Sequence, residues 1–158
     1  MNEKKRKRLA KVASQHQSSK TYKPIERDKL GAFVNGHVAA MLETTNGDWF
    51  GDGQPFNKRF TKHTISERTL AQSIRDCLQF YWRYRAILEM LYSTTELGEY
   101  DAGYRFWKSR NHHKGGFDDN DSWDKAWDIL HNGSIGFGPK HLTERNGEVD
   151  AYYAPSGS

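Results

Sequence analysis

The residues with the most evident capacity for chemistry stand in "SRNHHKGGFDDNDSWD", positions 109–124. His112 and His113, followed by Asp118, Asp119 and Asp121, supply the imidazole and carboxylate ligands that a metal-dependent hydrolase or nuclease uses. Adjacent histidines on a regular helix or strand point apart and cannot share one ion, although on a loop they can. A structural account competes. Gly115 and Gly116 make a turn, and acids gather where a helix begins, with Asp121 as its cap and Asp124 three residues on. No nucleophile–base pair accompanies the histidines, so the sequence favours the turn and expects no catalytic residue, metal or cofactor.

Two other motifs fail on spacing. Read as a calcium loop from Asn46, "NGDWFGDGQP" places Phe50 where the fifth ligand belongs and Asn57 where the twelfth, a glutamate, is required. Read as a phosphate loop, it lacks the hydroxyl after lysine, because Arg59 follows Lys58. The stretch is expected to be a glycine-rich turn pinned by Trp49 and Phe50. Cys77 is the only cysteine, which excludes an internal disulfide and a four-thiolate zinc site.

The cations carry more. Residues 1–23 hold eight Lys or Arg against Glu3, a net +7, while the whole chain is +4 and the remaining body therefore −3. Lys4, Lys5, Arg6, Lys7, Arg8 and Lys11 repel one another, and the Gln, Ser and His run after them has nothing to bury. A disordered arm is expected, and its physical use is attraction to a polyanion with release of counterions. Lys58, Arg59, Lys62, His63 and Arg68 form a second basic group around a predicted helix start, where backbone N–H groups also favour an anion. Arg75 and Arg83 continue the series along that helix.

The elements that position these groups are read from periodicity. Leu30, Phe33, Val34, His37, Val38 and Met41 recur at three and four, predicting a helix from Glu26 to near Thr44 with His37 buried and neutral. Gly31 and Gly36 weaken it, so it depends on packing. Thr64 and Glu67 read as a capping box opening one long helix over 65–92. On that helix "CLQFYWRYR", residues 77–85, is mainly core: Cys77, Tyr81, Tyr84 and Leu88 share a stripe, and Trp82 lies off it. Ser93 and Glu96 read as another capping box, opening a helix to about Ser109 that folds back as an antiparallel hairpin with Phe106 outward. A fourth helix over 122–131 docks on that pair, and Asn132 and Gly133 stop it.

The expected fold class is all-α: a small single-domain bundle of about four helices, with a disordered basic arm over 1–23, a helical domain over 24–150 and a flexible tail over 151–158. The C-terminal segment is expected to be largely irregular. No apolar run reaches bilayer length and no hydrophobic segment follows the first cations, so neither a membrane span nor a secretory signal is expected. A cytoplasmic, non-enzymatic nucleic-acid accessory protein follows, DNA somewhat ahead of RNA, with Lys4, Lys5, Arg6, Lys7, Arg8, Lys11, Lys58, Arg59, Lys62, Arg75 and Arg83 on the phosphates. The rival reading is a protein-binding inhibitor or assembly adaptor. There Trp49, Trp82 and Phe106 serve as anchors and an acidic C-terminal half meets a basic partner.

Overall fold

The three-and-four spacing of Phe33, Val34, His37, Val38 and Met41 forms helix α1, Arg27–Thr44, and buries that whole stripe. The computed structural model describes residues 25–44, 64–120 and 124–153, and the arm and the 46–55 turn lie outside them. Among the described residues, four more helices and one β-hairpin complete the fold, so the expected all-α class is corrected to a mostly helical body with a small sheet.

Helix α2, Glu67–Arg83, starts two residues later than a Thr64 cap would place it. Ser66 is the cap, its Oγ accepting from the Thr69 amide at 3.2 Å. The long rod expected over 65–92 is broken at Tyr84 (φ −112°, ψ 19°), and α3, Arg85–Thr94, resumes after it. Hydrogen bonds cross the break, from Tyr84 N to Phe80 O at 3.0 Å and from Leu88 N to Tyr84 O at 2.9 Å. The Tyr84 ring sits against α5, Lys125–Ile135, in space that a Cβ on Gly133 would fill.

Ser93 does not open the next helix. Its hydroxyl donates back to Met90 O at 2.9 Å, inside α3. Helix α4, Glu99–Arg110, begins instead after Gly98. The antiparallel hairpin expected of the second and third helices is also corrected, because the closest and most extensive helix pairing is between α4 and α1. Gly36 and Gly103 allow it: a Cβ on Gly36 would overlap the Tyr100 carbonyl, and one on Gly103 the Phe33 carbonyl. The loss of helix propensity at Gly36 is offset by this approach of two backbones.

Rings fill the space between α1, α2 and α4. Phe80 and Phe106 stack with centroids 4.2 Å apart, and Phe33 meets Tyr81 edge-on at 5.3 Å. Phe117 and Phe137 close the ends of this stack. On α5 the cap is Asp124, whose Oδ1 accepts from Ala126 N at 3.0 Å, and Trp127 and Leu130 face the core.

The C-terminal segment is a hairpin rather than an irregular tail. Strand β1, Lys140–Arg145, pairs antiparallel with β2, Glu148–Tyr153, in the register Leu142 to Ala151. Asn146 (φ 54°) and Gly147 (φ 82°) make the two-residue turn, both in the left-handed region that such a turn requires. Ala151, Tyr152 and Tyr153, expected in a flexible tail, are the end of β2. The sheet is seated on the first turn of α2: Ser66 N donates to Val149 O at 3.0 Å, and Ala151 N to Thr69 Oγ1 at 2.9 Å. Asp150 accepts from the hydroxyls of Ser66 and Thr69.

Candidate nucleic-acid interface

At 100° per residue, Arg68, Gln72, Arg75, Gln79 and Arg83 fall on one line along α2, opposite Cys77 and the core. Arg68 and Arg83 are exposed, and Gln72, Arg75 and Gln79 half-buried. Of the carboxylates of this helix, Glu67 lies off the line, and Asp76 borders it about 20° beyond Arg83 but is buried. Among the described residues no acid pairs with any of the three arginines. Arg75 differs from the other two, because its Nε is buried and has no hydrogen-bond partner among the described residues. Its Nε is too enclosed to meet a ligand, so any anion contact on this residue falls to the Nη groups.

One flank of this face is covered by the start of α1. Leu78 and Trp82 form a small cluster with Ile25 and Leu30, and the Arg85 guanidinium lies 5.1 Å from the Trp82 ring. Arg85 also pairs with Glu89 at 2.9 Å. Ile25 is the first described residue after the arm, so the cationic segment joins the body beside the arginine line.

The other flank is a buried charge cluster that periodicity did not disclose. Arg110, fully buried on α4, donates from Nη1 to Asp76 Oδ2 at 3.0 Å and from Nε and Nη2 to the carbonyls of Gly138 and Phe137. Lys140 reaches the same Asp76 oxygen at 3.5 Å and Gln72 Oε1 at 3.4 Å, and Tyr153 Oη reaches Asp76 at 3.3 Å. Two cations therefore share one carboxylate. Burial pushes the Lys140 amine down, with Arg110 adding to it and Asp76 opposing. His37, packed against Phe106 and Trp107 with no hydrogen-bond partner for either ring nitrogen among the described residues, is held well below the usual imidazole range by burial, then by Arg110 and Lys140. Asp76 was legible only as an acid on α2; nothing local connects it with residues 34 and 64 positions later.

The remaining candidates disperse. Lys4, Lys5, Arg6, Lys7, Arg8, Lys11, Lys58, Arg59, Lys62 and Trp49 lie outside the described residues. Phe106, expected to face outward, is fully buried in the ring stack, because α4 packs against α1 and turns that side inward. Trp82 is 5% exposed. Cys77 is buried, and burial raises its thiol well above the ordinary range, as suits a core residue. His112 and His113 are exposed in the turn after α4, where Asp118 lies 3.8 Å from His131 instead; Asp121 is outside the described residues. Among the described residues no three His, Cys, Asp or Glu side chains converge as a metal site would need. An open cleft of about 580 Å³ lies away from α2, spanned by Arg105, which donates to the Gly116 and Asp119 carbonyls at 2.9 and 2.7 Å. Glu96, Asp101 and Asp119 on its walls make it unsuited to phosphate.

No protein-family model matches the chain, and neither a curated protein nor a solved structure does. Among the described residues no helix is long and apolar enough to cross a membrane.

Proposed function

We propose that the protein is a non-enzymatic nucleic-acid accessory protein that holds phosphate backbones between its basic arm and the arginine line of α2, with DNA as the first candidate polymer. The observation that carries this reading is the alignment of Arg68, Arg75 and Arg83 on one face of α2, with no carboxylate paired to any of them among the described residues. Charge placement supports it. The arm holds +7 on a body of −3, and its root at Ile25 adjoins the same helix face. The adaptor reading is weaker, since Phe106 is spent in the core and Trp82 is 5% exposed.

The test is equilibrium binding to duplex DNA, single-stranded DNA and RNA across a salt series, with the full chain and a form lacking residues 1–23. The logarithm of the binding constant should fall linearly with the logarithm of salt concentration, and removing the arm should flatten that slope markedly. Capture of no nucleic acid at any ionic strength overturns the proposal.

A further inference from the structure

We infer that the arginine line of α2 is a sequence-neutral seat for double-stranded rather than single-stranded nucleic acid, an inference that rests on the function proposed above. Three features of the face lead there. The first is what it offers for contact. Sequence-tolerant capture of single strands relies on exposed rings next to a cationic groove, because every base has a face to stack. The ring on this part of α2 is Trp82, and it is covered by Ile25 and Leu30 with Arg85 over it. Of the exposed tyrosines, Tyr100 is on α4 and Tyr152 and Tyr153 on β2; Tyr153 borders the face, but its hydroxyl lies 3.3 Å from Asp76 and the Lys140 ammonium 4.7 Å from its ring. The arginine face itself presents guanidinium and amide groups, which bond phosphate and sugar oxygens.

The second feature is rigidity. Arg68, Arg75 and Arg83 ride on one unbroken helix, spaced about 10 Å and about 12 Å along its axis and spanning about 22 Å in all. A duplex already holds its phosphates in fixed rows, so such a ruler meets its charges without reorganising them. A single strand must be ordered first and loses that entropy. The third feature is the flanks. A recognition helix enters the major groove by standing clear of its own protein. Here α1 covers the Leu78 and Trp82 side, and the Asp76–Arg110–Lys140 cluster with the hairpin closes the other. Among the described residues the face presents a blunt cationic strip, which lies across backbones without reading base edges.

The experiment compares one sequence as duplex and as single strand, and a second duplex of shuffled sequence, using the full chain. A variant carrying Arg68→Ala, Arg75→Ala and Arg83→Ala is measured alongside. The full chain should favour the duplex by about tenfold or more and bind both duplexes alike. In the variant the duplex salt slope should shrink by about 2.7, at roughly 0.9 per lost phosphate contact, while single-strand binding through the arm is little changed. A variant with lysine at the same three positions should restore the slope. Because Arg75 is half-buried, the double variant Arg68→Ala, Arg83→Ala, which alters only exposed side chains, repeats the test with an expected slope change of about 1.8. Equal capture of both forms, or equal losses on both in either variant, overturns the inference while leaving nucleic-acid binding in place. Capture of neither form overturns both.

Discussion

Arg110 and Asp76, 34 positions apart, meet at 3.0 Å in an interior that also admits Lys140, so one carboxylate holds two cations out of water. Breaking such a group from one side leaves the other buried and unbalanced. Asp76→Ala should therefore be the more damaging change, since it strands both Arg110 and Lys140, at about 3–5 kcal/mol or more. Arg110→Met should cost less, because Lys140 remains to neutralise Asp76. Urea denaturation of the two variants at pH 7 checks the order.

Gly31, Gly36 and Gly103 make a contrast within one helix pair. Gly36→Ala and Gly103→Ala each push a methyl group into the facing backbone, and each should destabilise by about 1–3 kcal/mol. Gly31 has open space around its Cβ position, so Gly31→Ala should instead stabilise by about 0.5–1 kcal/mol. Thermal melts that shift the same way for Gly31 and Gly36 would contradict the described packing of α1 on α4.

His37 sets an acid limit. Its folded-state affinity for protons is lowered by burial, so the unfolded chain binds the proton more readily. Stability contributed by this residue is complete above the ordinary imidazole value of about 6.5 and is lost as pH falls below it. Replacement by an apolar ring, His37→Phe, should flatten the decline between pH 7 and pH 5 relative to the parent, as read from urea midpoints at each pH. An unchanged decline would place the titration elsewhere.

Ser66 links two elements through one hydroxyl, capping α2 and donating to Asp150 of the hairpin. Ser66→Ala should cost about 1–2 kcal/mol. Asp150→Asn should cost less and speed amide exchange at Val149 and Ala151, while leaving exchange in α4 unaltered. Hydrogen exchange followed by mass spectrometry separates these outcomes.

Helices were legible where a stripe of apolar residues was unambiguous, as in α1 and the core side of α2. Boundaries were less so, because several residues satisfied the same capping pattern: Thr64 and Ser93 have the spacing of caps, while Ser66 and Gly98 open the helices. The hairpin did have a local signal. Asn146-Gly147 is the dipeptide a tight reversal favours, and it lies between two six-residue strands. Phe106 was misplaced for a different reason. Its orientation depends on which neighbour α4 chooses, and the backbone contact at Gly36 and Gly103 that decides this spans 67 positions. The same distance effect hid Asp76 with Arg110 and Lys140. Of the candidate interface, the arginines were named from charge alone, while their common line, the enclosed Nε of Arg75 and the arm root beside Trp82 required three dimensions.

The seating of β2 on the opening turn of α2 has a bearing on how the chain is made. Ala151 closes on Thr69 and Val149 on Ser66, across more than eighty positions. During translation Phe80 and Phe106 leave the ribosome before the strand that anchors the beginning of α2, and Arg110 emerges before Lys140. The latch between β2 and α2 therefore closes only once both have been made, and a pairing of such long sequence separation is intrinsically slow to form.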